Sequence, residues 1–145
     1  MNKFEDMTSF LTFVESQKRF HEKVGLDKMR TFCKVLGNPQ NKFQSIHVTG
    51  TNGKGSTVAY LRDMFMSQGL TVGTFTSPYI TRFNERICIN GIQIEDEDVL
   101  KYANIILAKY DEFLSLTNEL PSFFEFITLL CFLYFAEKPL DIAII

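Results

Sequence analysis

Residues 50–57 read Gly-Thr-Asn-Gly-Lys-Gly-Ser-Thr, with the apolar run FQSIHV (43–48) before them and an amphipathic, helix-forming segment (56–68) after them. Few folds accommodate that order. The apolar run is a strand candidate, and the small residues after it let backbone N–H groups turn inward. The following segment then places Val58, Leu61, Met64 and Phe65 on one face of a helix that Gly69 stops. Strand, glycine turn and helix make a βα unit, which needs further strands to build a sheet. Residues 70–75 are a second strand, broken by Thr76-Ser77-Pro78. Ile87-Cys88-Ile89 and Ile92-Gln93-Ile94 flank Asn90-Gly91, a dipeptide that favours a type I′ turn, so a small β-hairpin is expected. The run LDIAII (140–145) is nearly all apolar, as a central parallel strand should be. The expected fold is therefore α/β with a mainly parallel sheet.

Helices fill the remainder. Asp6 or Thr8 caps a first short helix, whose apolar face is Phe10, Phe13, Val14 and Phe20. Asp27 caps a second, with Met29, Phe32, Cys33 and Leu36 on one side and Gly37-Asn38-Pro39 ending it. The acidic residues Glu95, Asp96, Glu97 and Asp98 suit the N-terminal end of a helix running to about Leu116. A Phe-rich helix over 122–137 comes next. No repeat, low-complexity tract or Gly/Ser linker divides the 145 residues, so they read as part of one domain. A domain rarely finishes on a bare core strand, and the expectation is that the chain is truncated.

Composition narrows the function classes. The chain is 46% hydrophobic, 14% aromatic and 22% charged, which is globular and not disordered. Fifteen basic residues against 17 acidic ones give a net charge of −2, which supplies no field for gripping nucleic acid. Cys33, Cys88 and Cys131 are odd in number, far apart and apolar in setting. They read as reduced core residues of a cytoplasmic protein. With only His21 and His47 and no paired cysteine motif, a zinc site is not expected. The segment LPSFFEFITLLCFLYFA is short for a membrane span and carries Glu125, so it reads as a buried helix and no membrane association is expected. The N-terminus lacks the apolar run of a signal peptide.

Three features could carry chemistry. Backbone N–H groups of a Gly-rich βα turn can wrap a phosphate at the positive end of a helix, Lys54 adds charge, and the Ser56 or Thr57 hydroxyl can reach Mg²⁺. The strict P-loop spacing is not met, because only three residues separate Gly50 from Lys54, and an ordinary Gly-rich turn is the alternative. No third glycine stands where a dinucleotide fingerprint needs one; Val58 does. The second feature, Thr76-Ser77-Pro78-Tyr79 with Arg82, Glu85 and Arg86, begins where a parallel strand ends. Ser77 is a candidate metal or phosphate ligand or a plain turn residue, and Arg82 and Arg86 either meet an anionic substrate or solvate the loop. The third is Glu125, alone in an apolar segment. A bound Mg²⁺, a cation such as Arg82 or Lys54, or a frayed helix start would each relieve its burial. His47 reads as a satisfied structural residue and His21 as solvated, and neither sits in a nucleophile setting.

HVTGTNGKGST, then TSPYITRFNERICING, then FFEFIT, in that order, resembles folylpolyglutamate synthase and dihydrofolate synthase, Mur-ligase-like enzymes that form amides with ATP. GLDKMRTFCKVLGNPQNKFQSI also resembles that family's N-terminal segment, so the resemblance spans nearly the whole chain. It implies that residues 1–145 are the N-terminal part of the ATP-binding domain, without the C-terminal domain that completes the ATP and glutamate sites. It implies ATP and Mg²⁺ as cofactors, with Thr51, Asn52, Gly53, Lys54, Gly55, Ser56 and Thr57 holding the phosphates and Lys54 on the β/γ groups in a catalytic role. Ser77, Glu125 and Ser56 would coordinate Mg²⁺. Val24, Gly25 and Arg82 would lie near the substrate. The substrates implied are folate or dihydropteroate, L-glutamate and ATP, in a cytoplasmic parent that acts as a monomer. Tyr79-Ile80 stands where the family usually has His-Leu, which removes any imidazole role there. Another Mur-like amino-acid ligase and a non-catalytic nucleotide-binding module are the rival readings.

Overall fold

A computed structural model describes residues 2–17, 26–50, 52–77 and 81–145. Phe20, His21, Val24, Gly25, Thr51, Tyr79 and Ile80 lie outside the described residues. Six helices are described: α1 (Met7–Glu15), α2 (Asp27–Val35), α3 (Lys54–Ser67), α4 (Asp96–Leu107), α5 (Tyr110–Thr117) and α6 (Phe123–Glu137). Five strands, β1 (Ser45–Ile46), β2 (Val72–Phe75), β3 (Ile87–Ile89), β4 (Ile92–Gln93) and β5 (Ile142–Ile144), form one sheet in the order β1-β5-β2-β3-β4. Two compact units emerge, a helical one (Met1–Gln40 with Asp96–Tyr134) and a sheet unit (Asn41–Glu95 with Phe135–Ile145).

In the sheet unit the apolar run at 140–145 becomes the central parallel strand that its composition implied. β5 lies between β1 and β2, parallel to both, with Ser45 opposite Ala143 and Gly73 opposite Ala143 on the other side. β2 is buried at all four positions. The hairpin continues the sheet antiparallel, with Phe75 opposite Ile87 and Ile89 opposite Ile92. Asn90 (φ 52°) and Gly91 (φ 77°) supply the two left-handed positions of the turn. β1 is shorter than the apolar run suggests, although the Val48 N–H still reaches the Ile145 carbonyl at 2.7 Å.

Helix α3 lies on the sheet through Val58, which packs with Val72 and Ile144, while Leu61 and Phe65 are half-buried beside them. Met64 was expected on this face and is instead 60% exposed. At about 100° per residue it sits roughly 120° round the helix from Val58, outside so narrow a stripe. The same unit holds a close approach: a Cβ on Gly73 would stand 2.8 Å from the Phe135 ring.

Aromatic packing dominates the helical unit. Phe10, Phe32, Phe113 and Phe126 are fully buried, with ring centroids 4.6 Å apart for Phe32–Phe113 and 6.0 Å for Phe10–Phe126. Asp6 caps α1 by accepting the Ser9 N–H at 2.7 Å. Asp27, expected as a cap, is instead the first residue inside α2; Leu26 holds the N-cap position without a side-chain bond. The single helix expected to run to Leu116 is two, α4 and α5. Lys109 N–H bonds the Ile106 carbonyl three residues back, tightening the ladder before α5 resumes. The apolar spacing through Val99, Tyr102, Ile106, Tyr110 and Phe113 runs on across this break, so periodicity carries no trace of it.

No helix among the described residues is long and apolar enough to cross a membrane. The three cysteines are free. Burial pushes the Cys33 thiol up to about 11 and holds those of Cys88 and Cys131 above the ordinary value, which keeps them protonated near neutrality.

Candidate functional site

The phosphate-loop candidates sit at the carboxyl edge of the parallel strands. Ile46 at the end of β1 pairs with Ile144, which pairs on its far side with Thr74 of β2. The segments after β1 and β2 therefore leave the same edge of the sheet, on either side of β5, separated by two strand spacings or about 10 Å. Ligands of open α/β sheets bind in such a crevice.

After β1, Gly50 takes φ 146° and Gly53 takes φ 76°, the latter as N-cap of α3. A Cβ at Gly53 would meet nothing within 4 Å, so backbone conformation and not space calls for glycine there. No side chain caps this helix start, so the positive end of the dipole and its first N–H groups are offered outward. Asn52, Gly53, Lys54, Gly55, Ser56 and Thr57 are all exposed. The Thr57 hydroxyl donates to the Gly53 carbonyl at 2.9 Å. The helix begins at Lys54, two residues before the sequence-based boundary, which puts the Lys54 ammonium and the Ser56 hydroxyl on its first turn.

After β2, Ser77 is exposed at the strand exit. The loop that follows is held by Glu85, whose Oε1 accepts the N–H groups of Thr81 at 2.9 Å and Arg82 at 3.2 Å. Arg82 is exposed, as a substrate contact or a solvating residue would be. Arg86 is not: it is 7% exposed, with its guanidinium over the Phe83 ring at 6.0 Å, so it does not solvate the loop. His47, expected to be a satisfied structural residue, is exposed.

Glu125 belongs to the helical unit and lies in the first turn of α6. Its Oε1 accepts the Ser122 N–H at 2.9 Å, and its own N–H donates to Ser122 Oγ at 3.3 Å, a reciprocal cap. A cation beside it is Lys28, 3.1 Å away, a partner that the sequence reading did not name. Burial pushes this carboxyl up, yet the Ser122 N–H and the Lys28 ammonium outweigh it and hold the group below its ordinary value. Lys28 is the residue that sequence reasoning missed; a lysine on a short amphipathic helix carries no signal of its distant partner.

Among the described residues no group of three His, Cys, Asp or Glu side chains could hold a metal ion. Ser56 and Ser77 in the sheet unit and Glu125 in the helical unit each offer a hard oxygen donor, the kind that Mg²⁺ takes together with water and phosphate oxygens. The helical unit also contains a cavity of about 400 Å³, bordered by Leu26, Met29, Cys33, Gln40, Phe124 and Phe132, with Glu125 at its lining too. Phe124 is 53% exposed, and Gln40 Oε1 is buried with no hydrogen-bond donor among the described residues.

No family model matches the chain. It is 44% identical over 126 residues to the dihydrofolate synthase/folylpolyglutamate synthase of Bacillus subtilis (strain 168), which covers 87% of this chain and 29% of that protein. Its structure superposes with a TM-score of 0.89 on a complex of folylpolyglutamate synthase with AMPPCP and folate, at 35% identity, covering 97% of this chain and 34% of the other. A bifunctional folylpolyglutamate synthase/dihydrofolate synthase with Mn, AMPPNP and L-glutamate bound gives a TM-score of 0.83 at 26% identity, covering 97% and 32%. The chain thus spans about a third of the length of the proteins it matches.

Proposed function

Because the chain is homologous over nearly all its length to the N-terminal portion of the folylpolyglutamate/dihydrofolate synthases, we propose that it supplies the phosphate cradle and part of the Mg²⁺ site of such a ligase. The reaction is ATP-dependent glutamylation. The carboxylate of folate or dihydropteroate attacks the γ-phosphorus and ADP leaves. The amine of L-glutamate then attacks the acyl phosphate, forming the amide, releasing phosphate and losing a proton. Mg²⁺ bound to the nucleotide neutralises charge on the phosphates.

The protein's part is positioning. Backbone N–H groups at residues 52–56 receive the phosphate oxygens, and Lys54 on the first turn of α3 balances charge on the β/γ groups. Ser56, Ser77 and Glu125 are the cation ligands in this reading, and Val24, Gly25 and Arg82 approach the organic substrate. The apolar cavity beside Leu26 suits the flat ring system of that substrate, since Phe124 offers a face. Residues 1–145 belong to the ATP-binding domain, and a cytoplasmic location agrees with three thiols that remain free.

The observation that carries this reading is the left-handed Gly53 N-cap at the carboxyl edge of the sheet, which leaves the α3 dipole uncapped beside Lys54. Calorimetric titration of the chain with ATP, with and without Mg²⁺, tests it. Mg²⁺-dependent binding is expected, weakened at least tenfold in Lys54→Ala, as loss of a charge-assisted contact implies. Binding that ignores Lys54 would remove the phosphate-loop assignment.

A further inference from the structure

Lys28 has no part in the phosphate loop. It lies in the first turn of α2 with its side chain 13% exposed, and its ammonium stands 3.1 Å from Glu125 Oε1 and 3.2 Å from Glu119 Oε2. The two carboxylates differ. Glu125 is 17% exposed and fixed by the Ser122 N–H at the start of α6, whereas Glu119 is 54% exposed in the segment before it. A withdrawn carboxylate needs a compensating charge, and in this fold Lys28 provides one. A second cation approaching Glu125 must share that oxygen with the ammonium or move it. Glu119 gives the ammonium a partner to keep when Glu125 is given up, so neither charge is stranded.

We propose that Lys28 is a positioning residue that acts through Glu125. It holds the carboxylate aligned on the cap of α6, and by competition it sets how tightly that carboxylate takes a divalent cation, with Glu119 as its alternative partner. This rests on the assignment of Glu125 as a cation ligand made above. Lys28 is then a gate on affinity, not a ligand.

The test is a titration of the 145-residue chain with Mn²⁺ alone, followed by paramagnetic broadening of the Ser122 and Glu125 amide signals. In Lys28→Met the midpoint is expected to fall about tenfold, the effect on a carboxylate of losing one neighbouring cation. Lys28→Gln, which keeps a polar group and guards against misfolding of the methionine variant, moves it in the same direction by less. Glu119→Gln moves it the opposite way, because the ammonium then stays on Glu125. Unchanged or weaker Mn²⁺ binding in both Lys28 variants overturns the proposal, as does wild-type protein whose signals never broaden. Glu125→Gln separates the two layers: broadening that survives it refutes Glu125 as ligand, whereas broadening lost in Glu125→Gln but insensitive to Lys28 refutes only the gate. Nucleotide binding at the phosphate loop is read in the separate ATP titration and does not enter this result.

Discussion

Helices α3 and α6 each carry a candidate functional residue in the first turn, and they are built in opposite ways. α3 buries only Val58 among its fourteen residues, and its first turn is open to solvent with no side-chain cap. α6 buries Phe126, Ile127, Leu129, Leu130, Cys131 and Phe135 completely, and its first turn is closed by the Ser122–Glu125 exchange. A helix start that must receive phosphate oxygens has to leave its N–H groups unsatisfied by protein, and so it contributes little to holding the fold. A carboxylate that must stay ionised while withdrawn from water needs a rigid, well-packed element to fix its donors. The two starts are built for different tasks, the one an open set of donors and the other a fixed acid.

The largest expected effect comes from cutting into the second design. Phe126→Ala, which removes a fully buried ring packed against Phe10, Phe13 and Tyr110, should cost about 3–5 kcal/mol in urea denaturation, a large part of the stability of a domain this size. A loss below about 1 kcal/mol would mean that α6 is not the anchor it is taken for. Next comes Gly73→Ala, where the new methyl meets the Phe135 ring; overpacking of this kind costs roughly 1–3 kcal/mol, seen as a lower denaturation midpoint. Gly53→Ala forces a side chain into φ 76° and should cost about 1–2 kcal/mol while impairing ATP binding, a double effect that sets the loop apart from other turns. Lys54→Ala, exposed and uncapped, should leave stability within about 0.5 kcal/mol; a greater loss would show that the cradle is structural after all.

The smallest effect distinguishes Glu125 by its pH dependence. Its folded-state carboxyl lies below the unfolded value, so the chain gains stability from this group above the unfolded value and loses it as pH falls through the folded one. Denaturation midpoints measured from pH 7 down to pH 3 should therefore decline more steeply in wild type than in Glu125→Gln. Parallel curves would show that the Ser122 and Lys28 contacts do not hold the carboxylate ionised.

Much of this contrast is legible residue by residue. Asn90-Gly91 can be foreseen as a hairpin turn, because it depends on the φ preferences of two residues, whereas the left-handed position of Gly53 within its glycine-rich turn is read from the structure. LDIAII is legible as a central strand because burial on both faces removes any alternation. Periodicity fails where the decisive contact is remote or geometric. It places Met64 inward although the sheet accepts a narrower stripe, and it runs across the tightened turn at Lys109. Arg86 and His47 exchange their expected environments for the same reason: which side of a loop packs is set by what comes against it.

The sequence alone determined the local conformations and the chemical types available: a glycine turn into a helix with a lysine on it, a hairpin, an aromatic helix bearing one acid. These follow from steric limits on φ and from side-chain period, which act over a few residues. Only the tertiary structure decided that β5 enters between β1 and β2, so that both of their exits flank one strand end. Only it chose Lys28 as the cation for Glu125. Strand order and ion pairing are contests among distant segments, settled by which arrangement buries the most apolar surface without stranding a charge, and no local pattern records that outcome.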